Sequence, residues 1–486
     1  MRHSPVFATL VSVPLLVLAG CMVGPDYKRP PTVASATRWT EPASEHNVDV
    51  TWWRTLGDPV LDRLVEAAST RNLDLLEADG RLREARANRA QTVSGRLPQV
   101  NATGSATTNQ ISGNGEIPVQ NIPGFRRSFD LYDAGFDASW EIDLWGRVAR
   151  QVEASDARSQ AAREARRDVL LQTIAEVVRA YVDLRGAQAR LASASADADA
   201  RERTASLVGQ RYRAGDASLF DDARAEEQAR STRSALAGLA ADARSAAYRL
   251  ALLTGQPPEA LAGLADKPAP LPTPPSHVGV GLRSDLLRRR PDIRQAERNL
   301  AAATADVGVA TADLFPRVTL IGGVGQQAQA VGDLTSSLST RYQFGPSFSW
   351  PILSFGRIRA QIHAAGGRAD QAGAAYEKAV LTALSDSETA LNRYAASAAE
   401  RRGRDAALAQ AATALDLARQ RYVGGEDSLL TLLSAQSEYS ATEQSALAAR
   451  AAELTALVAL YKALGGGWEA FDVESADGLD PSWHTP

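Results

Sequence analysis

The decapeptide Gln210-Arg211-Tyr212-Arg213-Ala214-Gly215-Asp216-Ala217-Ser218-Leu219 returns 210 positions later as Gln420-Arg421-Tyr422-Val423-Gly424-Gly425-Glu426-Asp427-Ser428-Leu429. Each copy reads as a tight reversal between helices, because Gly supplies the left-handed φ that ends one helix and Asp or Ser caps the next. The same offset relates Trp140 to Trp350, Ile142 to Ile352, Gly146-Arg147 to Gly356-Arg357, Leu250 to Leu460 and Gly255 to Gly465. A register held that long makes the chain one elongated unit present twice. Its 486 residues alone would have implied about three ordinary domains.

The net charge of -4 is spread over both signs, and no basic stripe points to nucleic acid. A single Cys excludes an internal disulfide. Arg2 and His3 precede an apolar run from Val6 to Leu18, too short to span a bilayer and of secretory type. The junction Leu18-Ala19-Gly20-Cys21 resembles the bacterial lipobox, which implies a signal over residues 1–20 and a lipidated Cys21. By resemblance to other lipoproteins, Met22 after that Cys favours sorting to the outer membrane.

The spacing of Pro and aromatic residues predicts an extended segment over 21–59. The first repeat then runs over 60–254: a helix to about Arg96, a strand pair within 97–142, a long helix over 147–213 and a return helix over 217–254. Pro-rich residues 255–283 predict an extended linker without a helix. The second repeat, 284–464, carries a helix to about Leu314, strands within 316–353, a long helix over 357–423 and a return helix over 428–464. Residues 465–486 form a tail expected to lie against the middle of the helices.

Two patterns fix the architecture. Tyr132, Ala134, Phe136, Ala138, Trp140 and Ile142 alternate with Asp133, Gly135, Asp137, Ser139 and Glu141, and Tyr342, Phe344, Pro346, Phe348, Trp350 and Ile352 alternate likewise in the second copy. An aromatic face backed by a polar one suits a transmembrane barrel strand, with Tyr132, Phe136, Trp140, Tyr342, Phe344, Phe348 and Trp350 facing lipid. Four strands cannot close such a barrel, so subunits must share one. Leu170, Ile174, Val177, Tyr181 and Leu184 step by four and three along a helix of roughly 100 Å, the mark of coiled-coil packing. The fold class is therefore mainly α with a transmembrane β part.

The stretch Leu287-Arg288-Arg289-Arg290-Pro291-Asp292-Ile293-Arg294-Gln295-Ala296-Glu297, with Ala305-Asp306-Val307-Gly308, Leu314-Phe315-Pro316, Gly24-Pro25-Asp26-Tyr27 and Trp52-Trp53, resembles the TolC-like outer-membrane efflux channels, specifically their NodT-type lipoprotein branch. The resemblance covers nearly the whole chain. It implies a homotrimer with a shared 12-stranded barrel, four strands per protomer, continued by a helical tube across the periplasm. It also implies a periplasmic adaptor and an inner-membrane transporter of the resistance-nodulation-division type as partners. Carried over by position, Arg211, Tyr212, Gly215, Leu219 and Asp221 in the first turn, and Arg421, Tyr422, Gly425 and Leu429 in the second, belong to the periplasmic tip, where the adaptor docks and the channel gates. Where relatives often read Leu-Asp-Ala-Gln, this chain has Leu433-Ser434-Ala435-Gln436, which leaves Asp221, Asp222, Glu426 and Asp427 as candidate gate acids.

The five His residues are scattered, and no nucleophile elbow, phosphate loop or Cys/His metal spacing occurs, so neither enzyme nor cofactor is expected. The function expected is an outer-membrane exit duct passing small molecules out of a tripartite efflux pump. The alternatives are an adhesive or structural lipid-anchored coiled-coil trimer and a type I secretion duct.

Overall fold

The computed structural model describes residues 22–29, 39–40, 46–114 and 123–472. The signal, Cys21 and Trp483 lie outside them. In chain order the elements are α1 (Pro59–Arg71), α2 (Leu73–Ser94), β1 (Gln99–Gln110), β2 (Ser128–Ile142), α3 (Arg147–Arg213), α4 (Leu219–Leu253) and α5 (Glu259–Ala265). The second repeat supplies α6 (Leu286–Arg289), α7 (Pro291–Ala312), β3 (Arg317–Ala328), β4 (Thr340–Ser349), α8 (Arg357–Val423) and α9 (Leu429–Ala463). The chain divides into two compact units, one of residues 1–30, 83–161 and 296–376, the other of 31–82, 162–295 and 377–486.

The first unit holds the sheet, antiparallel throughout in the order β1-β2-β3-β4. Gln99 pairs with Ser139 in β1 and β2, and Arg317 with Ser349 in β3 and β4. Repeat equivalence is thus 218 positions at the start of the hairpin and 210 at its end, because the span from Arg317 to Ser349 is eight residues shorter than that from Gln99 to Ser139. Two strands of different repeats, β2 and β3, pair in the middle, Phe136 opposite Val324. The N-terminal segment lies on helices of this unit. Gly24 has φ 88°, and a Cβ there would stand 2.4 Å from the Cα of Gly308. Arg150 donates Nε to the Val23 carbonyl at 3.2 Å and Nη2 to Asp26 at 2.6 Å, while Tyr27 donates to Glu297 at 3.1 Å.

The second unit holds the helix returns and the aromatic core. Leu170, Ile174, Val177, Tyr181 and Leu184 of α3 are all buried, the face that their spacing selects. Residues 52–56, read as part of an extended segment, form instead a 3-10 turn that buries Trp52, Trp53 and Leu56. Trp52 stacks on Tyr461 at 4.8 Å and donates to the Gly466 carbonyl at 3.3 Å, and Trp53 stacks on Phe471 at 5.6 Å. The tail as far as Asp472 joins this core, since Trp468 donates to the Arg289 carbonyl at 3.2 Å beneath the Arg167 guanidinium.

Three further expectations are corrected. The helix read over 60–96 is two, because Asn72 turns to ψ 131° and its Oδ1 accepts from Leu75 N at 3.1 Å, starting α2 as a cap does. The helix read over 284–314 breaks likewise at Arg290, which precedes Pro291 and is excluded from helical ψ by the proline ring. The two breaks are equivalent. Asn72 Nδ2 donates to the Leu253 carbonyl at 2.9 Å and Arg290 Nη1 to the Ala463 carbonyl at 3.1 Å, each reaching the last residue of its own return helix. Finally, the linker contains α5. Its residues Glu259–Ala265 are free of Pro, and the Gln188 amide caps it by donating to the Leu264 and Ala265 carbonyls, both at 2.9 Å.

Trp52→Ala removes a fully buried indole and its stacking partner's contact. The expected loss is about 3 kcal/mol, read as a lowered thermal midpoint of the helical circular-dichroism signal in detergent.

Candidate functional site

Both Gly turns have the same backbone construction. In the first, Gly215 (φ 85°) donates to the Tyr212 carbonyl at 3.0 Å and Asp216 to the Arg211 carbonyl at 2.8 Å. In the second, Gly425 (φ 75°) donates to the Tyr422 carbonyl at 3.2 Å and Glu426 to the Arg421 carbonyl at 2.9 Å. This is the Schellman ending, which satisfies carbonyls that the last helical turn leaves without partners. Each following helix starts at Ser: Ser218 Oγ accepts from Asp221 N at 3.1 Å and Ser428 Oγ from Thr431 N at 3.3 Å.

The caps occupy two of the four candidate gate acids. The Asp221 carboxylate accepts from Ser218 N at 3.3 Å, closing a capping box, and from the Ser218 hydroxyl at 2.7 Å. Asp427 accepts from the Thr431 hydroxyl at 2.9 Å and from Ser428 N at 3.0 Å, and lies 3.5 Å from Arg421 Nε. The hydrogen bond from Thr431, ahead of the Ser428 amide and the Arg421 charge, holds the Asp427 carboxyl below the usual carboxylate range. Glu426 is left exposed, and Ser434, on α9, is exposed too.

The side chains are less alike than the backbones. Tyr422 and Leu429 are buried with Ala205, Val208, Ala225, Ala229, Leu432 and Leu433, and the Arg211 guanidinium lies 5.5 Å from the Tyr422 ring centroid. Their counterparts Tyr212 and Leu219 are 39% and 62% exposed. Phe220, which sequence reasoning passed over, is 69% exposed beside them, with Arg224 over its ring at 5.9 Å. Its apolar character directly after Leu219 was the available signal. A groove of about 560 Å³ between α3, α8 and α9 opens beside Tyr422, lined by the charged Asp197, Arg203, Asp416, Arg419 and Glu443.

On the sheet, rows of equal face run across the strands. Ala102, Phe136, Val324 and Tyr342 form one row, and Val100, Ala138, Gly322 and Phe344 the next. Phe136, Tyr342, Phe344 and Phe348 are 58%, 84%, 78% and 75% exposed, an apolar face with no cover among the described residues. Tyr132 shares the face of Phe136 by strand alternation. Trp140 and Trp350 end it, donating to the Arg96 and Leu314 carbonyls at 2.9 and 3.1 Å. The opposite face is polar: Arg341 makes two hydrogen bonds of 2.6 Å to Asp133, Gln327 adds one of 3.0 Å, and Thr103 donates to Asp137 at 3.0 Å.

Among the described residues no group of three metal-ligating side chains occurs, and no helix is long and apolar enough to cross a membrane.

A family model described as outer membrane efflux protein matches residues 64–256 and 282–466. The pyoverdine export outer membrane protein OpmQ of Pseudomonas aeruginosa is 34% identical over 419 residues, 86% of this chain and 88% of that protein. Nodulation protein T of Rhizobium leguminosarum bv. trifolii is 33% identical over 468 residues, covering 93% and 96% respectively. Among solved structures, that of the outer-membrane channel OprN is similar with a TM-score of 0.85 at 38% identity, over 92% of this chain and all of that one.

Gly215→Ala and Gly425→Ala should each cost about 1 kcal/mol, since a Cβ at either turn meets nothing within 4 Å and only the left-handed φ resists it. Gly255→Ala should cost roughly 3 kcal/mol, because there the Cβ would stand 2.2 Å from the Arg71 carbonyl oxygen. Thermal midpoints of the three variants in detergent should separate in that order.

Proposed function

The chain belongs to the outer membrane efflux protein family and shares its role as an outer-membrane exit duct for efflux; on that premise we propose that three copies assemble one barrel of twelve strands. The observation that carries the assembly is the sheet: four strands with open outer edges, one aromatic face bare and the other polar. In a bilayer the aromatic face meets lipid, with Trp140 and Trp350 in the interfacial girdle, and the Asp133–Arg341 face lines the water-filled lumen. An adhesive or structural trimer has no use for a polar lumen face. The family is one of channels rather than enzymes, and this chain carries no catalysis in this reading.

The two Gly turns form the periplasmic tip. They dock a periplasmic adaptor, which couples the duct to an inner-membrane resistance-nodulation-division transporter, and the exposed Tyr212, Leu219 and Phe220 supply the apolar contact that a docking surface needs. With Asp221 and Asp427 engaged in caps, Asp222 and Glu426 are the candidate acids left to face the passage. Cys21 carries the lipid anchor. As a passive conduit the duct takes its cargo from the pump it serves.

Gly215→Val or Gly425→Val should abolish export while protein level, native trimer mass and barrel insertion stay at wild-type values. Wild-type export by both variants would remove the tip assignment. On the sheet, Phe348→Arg should cost about 2 to 4 kcal/mol of barrel stability near the bilayer midplane, whereas Ser347→Arg, on the lumen face, should leave the barrel intact, as read by its heat-induced mobility shift. Mass spectrometry of the mature N-terminus should find acyl chains on Cys21, and an unmodified terminus elsewhere defeats the anchor.

A further inference from the structure

We propose that a cavity of about 400 Å³ in the second unit binds a small guanidino acid, a molecule joining a guanidinium to a carboxylate, whose guanidinium takes the place that the Arg249 side chain fills in the first repeat. The site does not depend on the duct reading.

Helices α3 and α8 correspond at an offset of 210 residues, as do α4 and α9. In the first repeat Arg249 of α4 crosses to α3 and donates Nη2 to Glu176 at 2.5 Å, with Arg179 4.0 Å from the other carboxylate oxygen. The second repeat keeps the acid and lacks both guanidiniums: Asp386 stands for Glu176, Ala459 for Arg249 and Thr389 for Arg179. All three line the cavity. The two helix pairs end alike, since Asn72 and Arg290 make the same bond to the Leu253 and Ala463 carbonyls. The space is what an arginine truncated to alanine leaves, with its carboxylate still in place.

The lining carries the acids Asp168, Asp292 and Asp386 and the bases Arg290, Arg393 and Lys462. Arg290 and Asp292 satisfy each other through hydrogen bonds of 3.0 and 2.7 Å. Arg290 also holds the Ala463 carbonyl, and reaches Asp386 only at 3.5 Å. Asp168, on α3, accepts from Gln172 Nε2 of its own helix at 2.6 Å. Burial, with the Asp292 charge beside it, pushes the Asp168 carboxyl up against the pull of Arg290 and Lys462. Arg393 and Lys462 make no ion pair among the described residues.

Two acids short of positive charge and two bases without an acid thus share one cavity. A ligand of a single charge leaves one of these sets unmet. A guanidinium on Asp386 and Asp168, with a carboxylate on Lys462 and Arg393, meets both, and the planar fork of the guanidinium suits a carboxylate as an ammonium does not. A volume of about 400 Å³ lies within the range of small-ligand clefts, and Leu171, Pro291 and Ala390 supply its apolar wall. The bound molecule would tie α3 of the first repeat to α8 and α9 of the second.

Calorimetric titration of the full chain in detergent tests the site with γ-guanidinobutyrate, and with butylguanidinium and butyrate, which carry one charge each. The guanidino acid should bind once per chain and raise the thermal midpoint of the helical circular-dichroism signal by mass action. Each singly charged analogue should bind at least about tenfold more weakly. Ala459→Arg restores the side chain of the first repeat and should abolish binding by filling the cavity and pairing Asp386. Asp386→Asn keeps the shape at a side chain that is half-exposed, so the fold survives it, and should weaken binding by about tenfold or more. Wild-type binding by either variant overturns the site, as does a wild-type chain that binds no guanidino acid, or an analogue that binds as tightly. None of these outcomes bears on the duct, whose tests are export and native trimer mass.

Discussion

A peptide group carried into hydrocarbon must find its hydrogen-bond partner in the protein, because no water is there to supply one. In this chain β2 and β3 meet that demand on both sides, and β1 and β4 on one side only. The unmet half dictates association, the direction of the outer strands and the placing of apolar side chains on one face. The duplication shows in the middle of the sheet, where the β2–β3 pairing is a contact between repeats.

Duplication also shows where the two copies have been put to different use. The helix breaks at Asn72 and Arg290 make the same hydrogen bond to the end of their return helices with an amide in one and a guanidinium in the other. Chemistry has drifted there while geometry has stayed. The Gly turns invert that pattern. Their backbones match bond for bond, yet Tyr422 is buried under Arg211 while Tyr212 stands half-exposed.

Much of this was legible in the sequence because it depends on period and on glycine. Alternation over Tyr132 to Ile142 gives the two faces of β2 directly, and Gly215 and Gly425 sit where the left-handed residue of each turn is found. The helix breaks were hidden, since Asn72 interrupts an apolar period that continues in phase on either side and acts through a side-chain bond to Leu253, far along the chain. Helix α5 was masked by the proline content around it, although Glu259 to Ala265 contains none. The eight-residue difference in hairpin span could not be read from an offset that holds only after the loop. At the candidate site, identity of motif concealed the difference in burial, because Tyr212 and Tyr422 share a sequence setting and differ in what packs on them from elsewhere in the chain.

In the proposed assembly that difference changes the symmetry of whatever the turns hold. A ring built from three copies has six helix reversals of one backbone shape, which a partner reading only shape would meet as six equal seats. With Tyr212, Leu219 and Phe220 bare on one kind and Tyr422 and Leu429 enclosed on the other, the ring offers two alternating classes of three. Identical partner molecules filling all six would bind with two affinities, and half-occupancy would be a defined state rather than a statistical mixture.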